Sequence, residues 1–120
     1  MTDFRVKRIY EAPSADDGLR VLVDRLWPRG MSKVRAHLDL WEKELTPSSE
    51  LRSSFHHGEI TYEEFAHRYR QELKASHAAE NFVAGLSAAT VTLLTAVSDE
   101  EHSHIPVLLA ALEAASSTAT

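Results

Sequence analysis

Apolar and polar positions alternate from Phe4 to Ile9, with Phe4, Val6 and Ile9 set among Arg5, Lys7 and Arg8. A period of two predicts a half-buried strand or a sheet edge. Glu11 to Gly18, carrying Pro13, Ser14, Asp16 and Asp17, has the composition of a loop. From Leu19 to Asp24 the pattern changes, because Val21, Leu22 and Val23 are contiguous. Strands buried on both faces have this look. Pro28 and Gly30 interrupt regular structure, and Ser32 is placed to cap a short helix over Lys33 to His37.

Leu38 to Leu45 fits two patterns: a helix carrying Trp41 and Leu45, or an irregular strand through Leu38, Leu40 and Leu45. Thr46 and Pro47 predict a helix start, with Thr46 as cap and Pro47 in the first position, where a missing N–H costs nothing. Leu51 and Phe55 lie four apart on that helix, and Gly58 closes it. Thr61 and Glu64 have capping-box spacing, and Tyr62, Phe65, Ala66, Tyr69 and Leu73 follow on one helical face. Phe82, Val83 and Leu86 mark a shorter helical segment, and TVTLLTA from Thr90 to Ala96 predicts a strand. Ile105, Leu108, Leu109 and Leu112 stripe a last helix, with Pro106 tolerated in its first turn and the cap near Ser103 or His104. Strands alternating with helices predict an α/β fold, a single small domain with a short, mostly parallel β-sheet flanked by helices. The domain is expected over residues 1–115, with 116–120 a frayed C-terminal tail.

Composition excludes more than it assigns. The chain has no cysteine, which removes disulfides, thiolate catalysis and cysteine-held metals. It has no apolar run of membrane-spanning length and no signal-peptide pattern, so a cytoplasmic location without membrane contact is expected. Charge is uneven: residues 1–35 carry eight Lys/Arg against five Asp/Glu, and residues 36–120 carry five against thirteen. An overall −5 argues against nucleic acid as a partner, because phosphate neutralisation needs a continuous basic surface. A local basic pocket for a small anion is compatible with it.

The chemistry concentrates where the second predicted strand ends, in DRLWPRGMSK from Asp24 to Lys33. Open α/β sheets place ligand sites at strand carboxyl ends. Arg25, Arg29 and Lys33 offer donors matched to phosphate or carboxylate oxygens, and a helix start near Ser32 would add amides. Two arrangements satisfy this motif. The arginines either face an anion, with Asp24 orienting one of them or polarising a hydroxyl, or pair internally with carboxylates. Trp27 and Trp41 suit stacking on a base or anchoring the core. Lys43, Glu44, Thr46, Pro47 and Ser48 stand close enough in sequence to join the same pocket. His104 follows the TVTLLTA strand by a short loop, which places it beside Asp24 if the two strands are parallel; there it could serve as acid or base, with Glu44 as its counterpart. The pairs His56-His57 and His102-x-His104 lack further metal-ligand spacing, so no metal is expected, and nothing nominates a cofactor. Phosphate-loop and nucleophile-elbow motifs are absent.

The runs VLVDRLWPRGMSK (Val21 to Lys33) and LDLWEKELTPSSELRSSF (Leu38 to Phe55) closely resemble the YeaO-like branch of a bacterial domain-of-unknown-function family. The resemblance continues through Phe65, Tyr69 and Leu73 into TLLTA and His104. It implies a compact cytoplasmic α/β protein and picks out Asp24, Arg25, Trp27, Pro28, Arg29, Lys33, Trp41, Lys43, Glu44, Pro47, Ser48, Leu51 and Arg52. Many relatives carry Tyr and Lys in the stretch matching Thr95 to Ser98 and Asn at the place of Ser103; this chain has neither. The resemblance supplies no activity. The residues themselves suggest binding of a phosphorylated metabolite or nucleotide, with a protein-interaction or homodimer surface built on Trp27 and Arg29 as the alternative and a nucleic-acid regulator behind both.

Overall fold

In a computed structural model, which describes residues 2–118, four strands form one sheet in the order β1-β4-β2-β3, every neighbouring pair parallel. The strands are β1 (Asp3–Arg8), β2 (Leu19–Leu22), β3 (Leu40–Trp41) and β4 (Thr90–Thr95). The helices are α1 (Lys33–Ala36), α2 (Ser49–His56), α3 (Tyr62–Ser76), α4 (Ala78–Ala84) and α5 (Ile105–Thr118). The α/β expectation holds, and the mostly parallel sheet is parallel throughout. β1 is the edge strand that its alternation predicts, and β4, apolar and β-branched, lies inside the sheet.

Side chains alternate across a strand, so each face of this sheet has its own chemistry. Phe4, Val21, Val23, Val91 and Leu93 join one core with Phe65, Tyr69, Leu73, Val83, Leu108 and Leu112 of the helices. The opposite face buries Ile9, Leu22, Leu94, Met31 and Ala36, with Trp27 and Trp41 packed against them. The contiguous run at Val21 to Val23 is therefore apolar because both faces are covered. Next to that second layer sits a polar cluster. Arg20, 2% exposed, meets Asp17 at 2.5 Å and donates to the Ala36 and His37 carbonyls. Lys7 reaches the same carboxylate at 3.1 Å, and the Thr92 hydroxyl donates to the Asp17 carbonyl. Gly18, at φ +64°, lets this turn pass so close to Thr90 that a Cβ would lie 2.3 Å from its carbonyl oxygen.

Several boundaries differ from expectation. Leu38 to Leu45 becomes the two-residue β3 followed by a 3-10 turn over Lys43–Leu45, because Asp39 and Glu42 donate their N–H groups to Arg20 and Leu22 of β2. α2 starts two residues later than Thr46-Pro47 predicts. Thr46 is bound back to Lys43 through both its N–H and its hydroxyl, and Ser48 is the cap, accepting the Leu51 N–H at 3.2 Å. Thr61 caps α3 as predicted, although Glu64 turns to Arg68 instead of reaching back. Ser116 and Ser117, expected in a frayed tail, belong to α5, which runs through Thr118, and Ser116 is buried; Ala119 and Thr120 lie outside the described residues.

Candidate functional site

Parallel pairing brings the carboxyl ends of β1, β2 and β4 to one edge, and a cleft of about 500 Å³ opens there. Asp24, two residues beyond β2, forms its base together with Ala96 and His104. The loop Arg25 to Arg29 makes one wall, and Arg52, Phe55 and His56 of α2 contribute another. Val97 to Asp99 and His102 complete the rim.

Asp24 is held by three groups. Thr95 donates its hydroxyl at 2.7 Å, Ala96 its N–H at 2.7 Å, and His104 Nε2 lies 3.4 Å away. Burial pushes this carboxyl upward, but the hydrogen bonds from His104, Ala96 and Thr95 outweigh that and hold it below its ordinary value. The juxtaposition of Asp24 with His104, conditional on parallel strands, is thus realised. The pairing of Asp24 with an arginine is not: among the described residues the basic side chain beside its carboxylate is His104, at 3.4 Å.

Arg25 donates Nε to the Pro47 carbonyl at 2.9 Å, which fixes its guanidinium against the wall. Among the described residues no carboxylate lies within ion-pair distance of Arg25, Arg29 or Arg52. The internal salt-bridge alternative therefore fails for all three. Elsewhere Arg5 pairs with Asp3, Arg20 with Asp17 and Arg68 with Glu64, while Arg8, Arg35 and Arg70 have no ion pair among the described residues. The cleft's positive field also reaches His56, whose imidazole is held below its ordinary range by burial and then by the charges of Arg52 and His57.

The tryptophans shape the loop. Trp27 donates its indole N–H to the Met31 carbonyl and Trp41 to the Asp24 carbonyl, each at 2.7 Å. The two rings meet edge to face with centroids 5.4 Å apart. Lys43 lies over the Trp41 ring at 4.1 Å, a cation–π contact behind the loop. Tyr10 donates its hydroxyl to the Arg29 carbonyl at 3.0 Å and ties the loop to the end of β1.

Of the residues that the sequence nominates, Asp24, Arg25, Trp27, Arg29, Arg52 and His104 line this one cleft. Trp41 and Lys43 do not line it: Trp41 binds the Asp24 carbonyl, and Lys43 packs on the Trp41 ring. Lys33 sits exposed on the four-residue α1 and does not line it, and the α1 amide of Arg35 is already taken by Ser32. Ser48 caps α2 and binds Glu72 with its hydroxyl at 2.6 Å. Glu44 lines a separate cleft of about 560 Å³ between β3 and α4, whose charged residues, Asp39, Glu42 and Glu44, are all acidic. That cleft has the wrong sign for an anion. Tyr10, Phe55, His56, Asp99 and His102 also line the arginine cleft. His56 and His102 are visible in the sequence only as metal pairs without further ligands, and among the described residues no cluster of metal-ligating side chains forms.

No helix among the described residues is long and apolar enough to cross a membrane. No solved structure matches this chain. It is 42% identical over 107 residues to an uncharacterised protein of Mycobacterium tuberculosis (strain H37Rv), covering 89% of this chain and 91% of the relative. A protein of Mycobacterium bovis matches to the same extent, with 42% identity over 107 residues. The Escherichia coli (strain K12) protein YeaO is 47% identical over 78 residues, 65% of this chain and 67% of YeaO. A family described as the inactive DUF488-N3 subclade matches residues 3–120. With that match spanning nearly its whole length, the chain belongs to the inactive DUF488-N3 subclade.

Proposed function

We propose that the cleft at the strand ends binds a small anion, a phosphorylated metabolite or nucleotide, through Arg25, Arg29 and Arg52. The observation that carries this is the set of three arginines lining one cleft with no carboxylate partner among the described residues. Guanidinium donors left open in a concave site match phosphoryl oxygens in geometry and charge. Trp27 and Phe55 supply apolar walls for the remainder of the ligand.

Binding without turnover suits the site. Both oxygens of Asp24 already accept hydrogen bonds from the protein, and Glu44, the other acid–base candidate, lies in a different cleft. The word "inactive" in the family's description agrees with this assignment. A cytoplasmic setting, where phosphorylated metabolites occur, goes with it.

The test is a thermal-shift series with phosphate, sulfate, nucleoside phosphates and sugar phosphates, run beside Arg29→Ala. A ligand at a hundred times its Kd stabilises the fold by about 2.7 kcal/mol, which raises Tm by on the order of 10 °C in a domain of this size. Arg29→Ala removes the rise while leaving the unliganded Tm within about 2 °C, since the side chain is exposed and Tyr10 binds only its carbonyl. No shift with any anion overturns the proposal. In that event the exposed Leu26 on the same rim, 58% accessible, makes a protein–protein surface the stronger assignment.

A further inference from the structure

His104 makes contacts that fix more than its position. Its Nε2 lies 2.7 Å from the Val23 carbonyl oxygen, with the Asp24 carboxylate at 3.4 Å. A carbonyl oxygen only accepts, so Nε2 must carry a hydrogen. In the neutral ring the lone pair then resides on Nδ1. Among the described residues Nδ1 has no hydrogen-bond partner. It is not a sealed orphan either, because the one buried side-chain nitrogen without a partner among those residues is Arg8 Nε. His104 lines the arginine cleft, and its ring is held from behind by edge-to-face contact with Tyr69 at 6.2 Å.

We infer that His104 Nδ1 is a ligand-binding acceptor, so that the cleft prefers phosphate esters bearing a hydroxyl or amino donor over bare phosphate. The inference rests on the anion-site proposal and adds polarity to it. Arg25, Arg29 and Arg52 present donors and positive charge. Asp24 and His104 line the same cleft at the strand ends, where on this inference they offer a negative charge and the Nδ1 lone pair. A phosphoryl group is repelled at the second end and held at the first. What fits both is a molecule with an anion at one end and a hydrogen-bond donor at the other, as in a sugar phosphate or nucleoside phosphate.

The experiment compares glycerol phosphate with propyl phosphate, which share a three-carbon skeleton and differ in hydroxyl groups. Affinities are measured by calorimetry at about pH 8. The wild type is expected to bind glycerol phosphate roughly fivefold tighter, as one added neutral hydrogen bond would give. His104→Gln keeps an amide N–H where Nε2 stands and takes the acceptor away from the Nδ1 position, leaving the amide oxygen as the remaining acceptor. The ratio of the two affinities is expected to fall to about one in this variant, whatever happens to the absolute affinities. Equal affinities in the wild type overturn the inference without needing the variant. A preference that survives in His104→Gln also overturns it. If the wild type binds neither ester, the anion-site proposal itself has failed, and the inference with it.

Discussion

At the scale of single residues, Asp24 links the strand ends to the cleft. Its carboxylate takes hydrogen bonds from β4 and the loop beyond it while its backbone carbonyl accepts from Trp41. Because its folded pKa lies below the ordinary carboxylate value, the stability it contributes is present above about pH 4. That contribution is lost as pH falls through the folded value. Asp24→Asn is therefore expected to cost about 2 kcal/mol at neutral pH, by loss of charge-assisted hydrogen bonds, and to flatten the acid limb of stability below about pH 4. Urea unfolding midpoints measured from neutral pH downward give both quantities. Asp17 has its pKa lowered as well, so the variant keeps part of the acid sensitivity; an unchanged acid limb would contradict the assignment to Asp24. His104 and Asp24 were both legible as candidates from their place after apolar strands. The two hydrogen bonds that occupy the Asp24 oxygens were not, because Thr95 and Ala96 lie about seventy residues away and meet it only through β-pairing.

At the scale of elements, α2 illustrates how local signals compete. Thr46-Pro47 and Ser48 are both acceptable starts, and sequence chemistry favours the first. The 3-10 turn over Lys43–Leu45 claims Thr46, and Glu72 of α3 claims Ser48 through both its N–H and its hydroxyl. Ser48→Ala removes the cap and the bridge between α2 and α3 and is expected to cost about 1–2 kcal/mol. Because α2 carries Arg52 into the cleft, the same variant is expected to weaken anion binding as well as stability. Chemical denaturation and calorimetry on one sample check both effects, and a stability loss with unchanged affinity would separate α2 positioning from the site.

At the scale of the whole molecule, the sheet buries apolar residues on one face and a mixed layer on the other. Arg20 and Asp17 lie in that mixed layer, and Arg20 also closes the carboxyl end of α1. Replacing Arg20 with Met leaves Asp17 buried with Lys7 as its remaining ionic partner, a loss of about 3–5 kcal/mol. The drop is expected as a large fall in the urea midpoint, partly rescued when Asp17 is changed to Asn in the same chain. A variant as stable as the wild type would mean that the buried pair contributes nothing to folding. Arg20 falls inside a strand pattern and gives no sequence signal of a partner, because an alternating polar position reads as solvent-facing until the sheet's second face is known to be covered.

Periodicity and capping chemistry determined the α/β class and the existence of β1, β2, β4 and the long helices, and the charged motif after β2 placed the candidate site at a strand end. Those features depend on contacts within a few residues, where side-chain spacing and capping chemistry act directly. Tertiary structure decided which of the nominated residues meet: Arg25, Arg29, Arg52 and His104 share one cleft, while Glu44 joins an acidic one. It also decided that, among the described residues, Arg25, Arg29 and Arg52 meet no carboxylate and that Asp24 lies beside His104. Those outcomes follow from parallel strand order and register, which bring distant segments to one edge. No local pattern encodes them, since pairing between β2 and β4 is settled by how both faces of the sheet are buried at once.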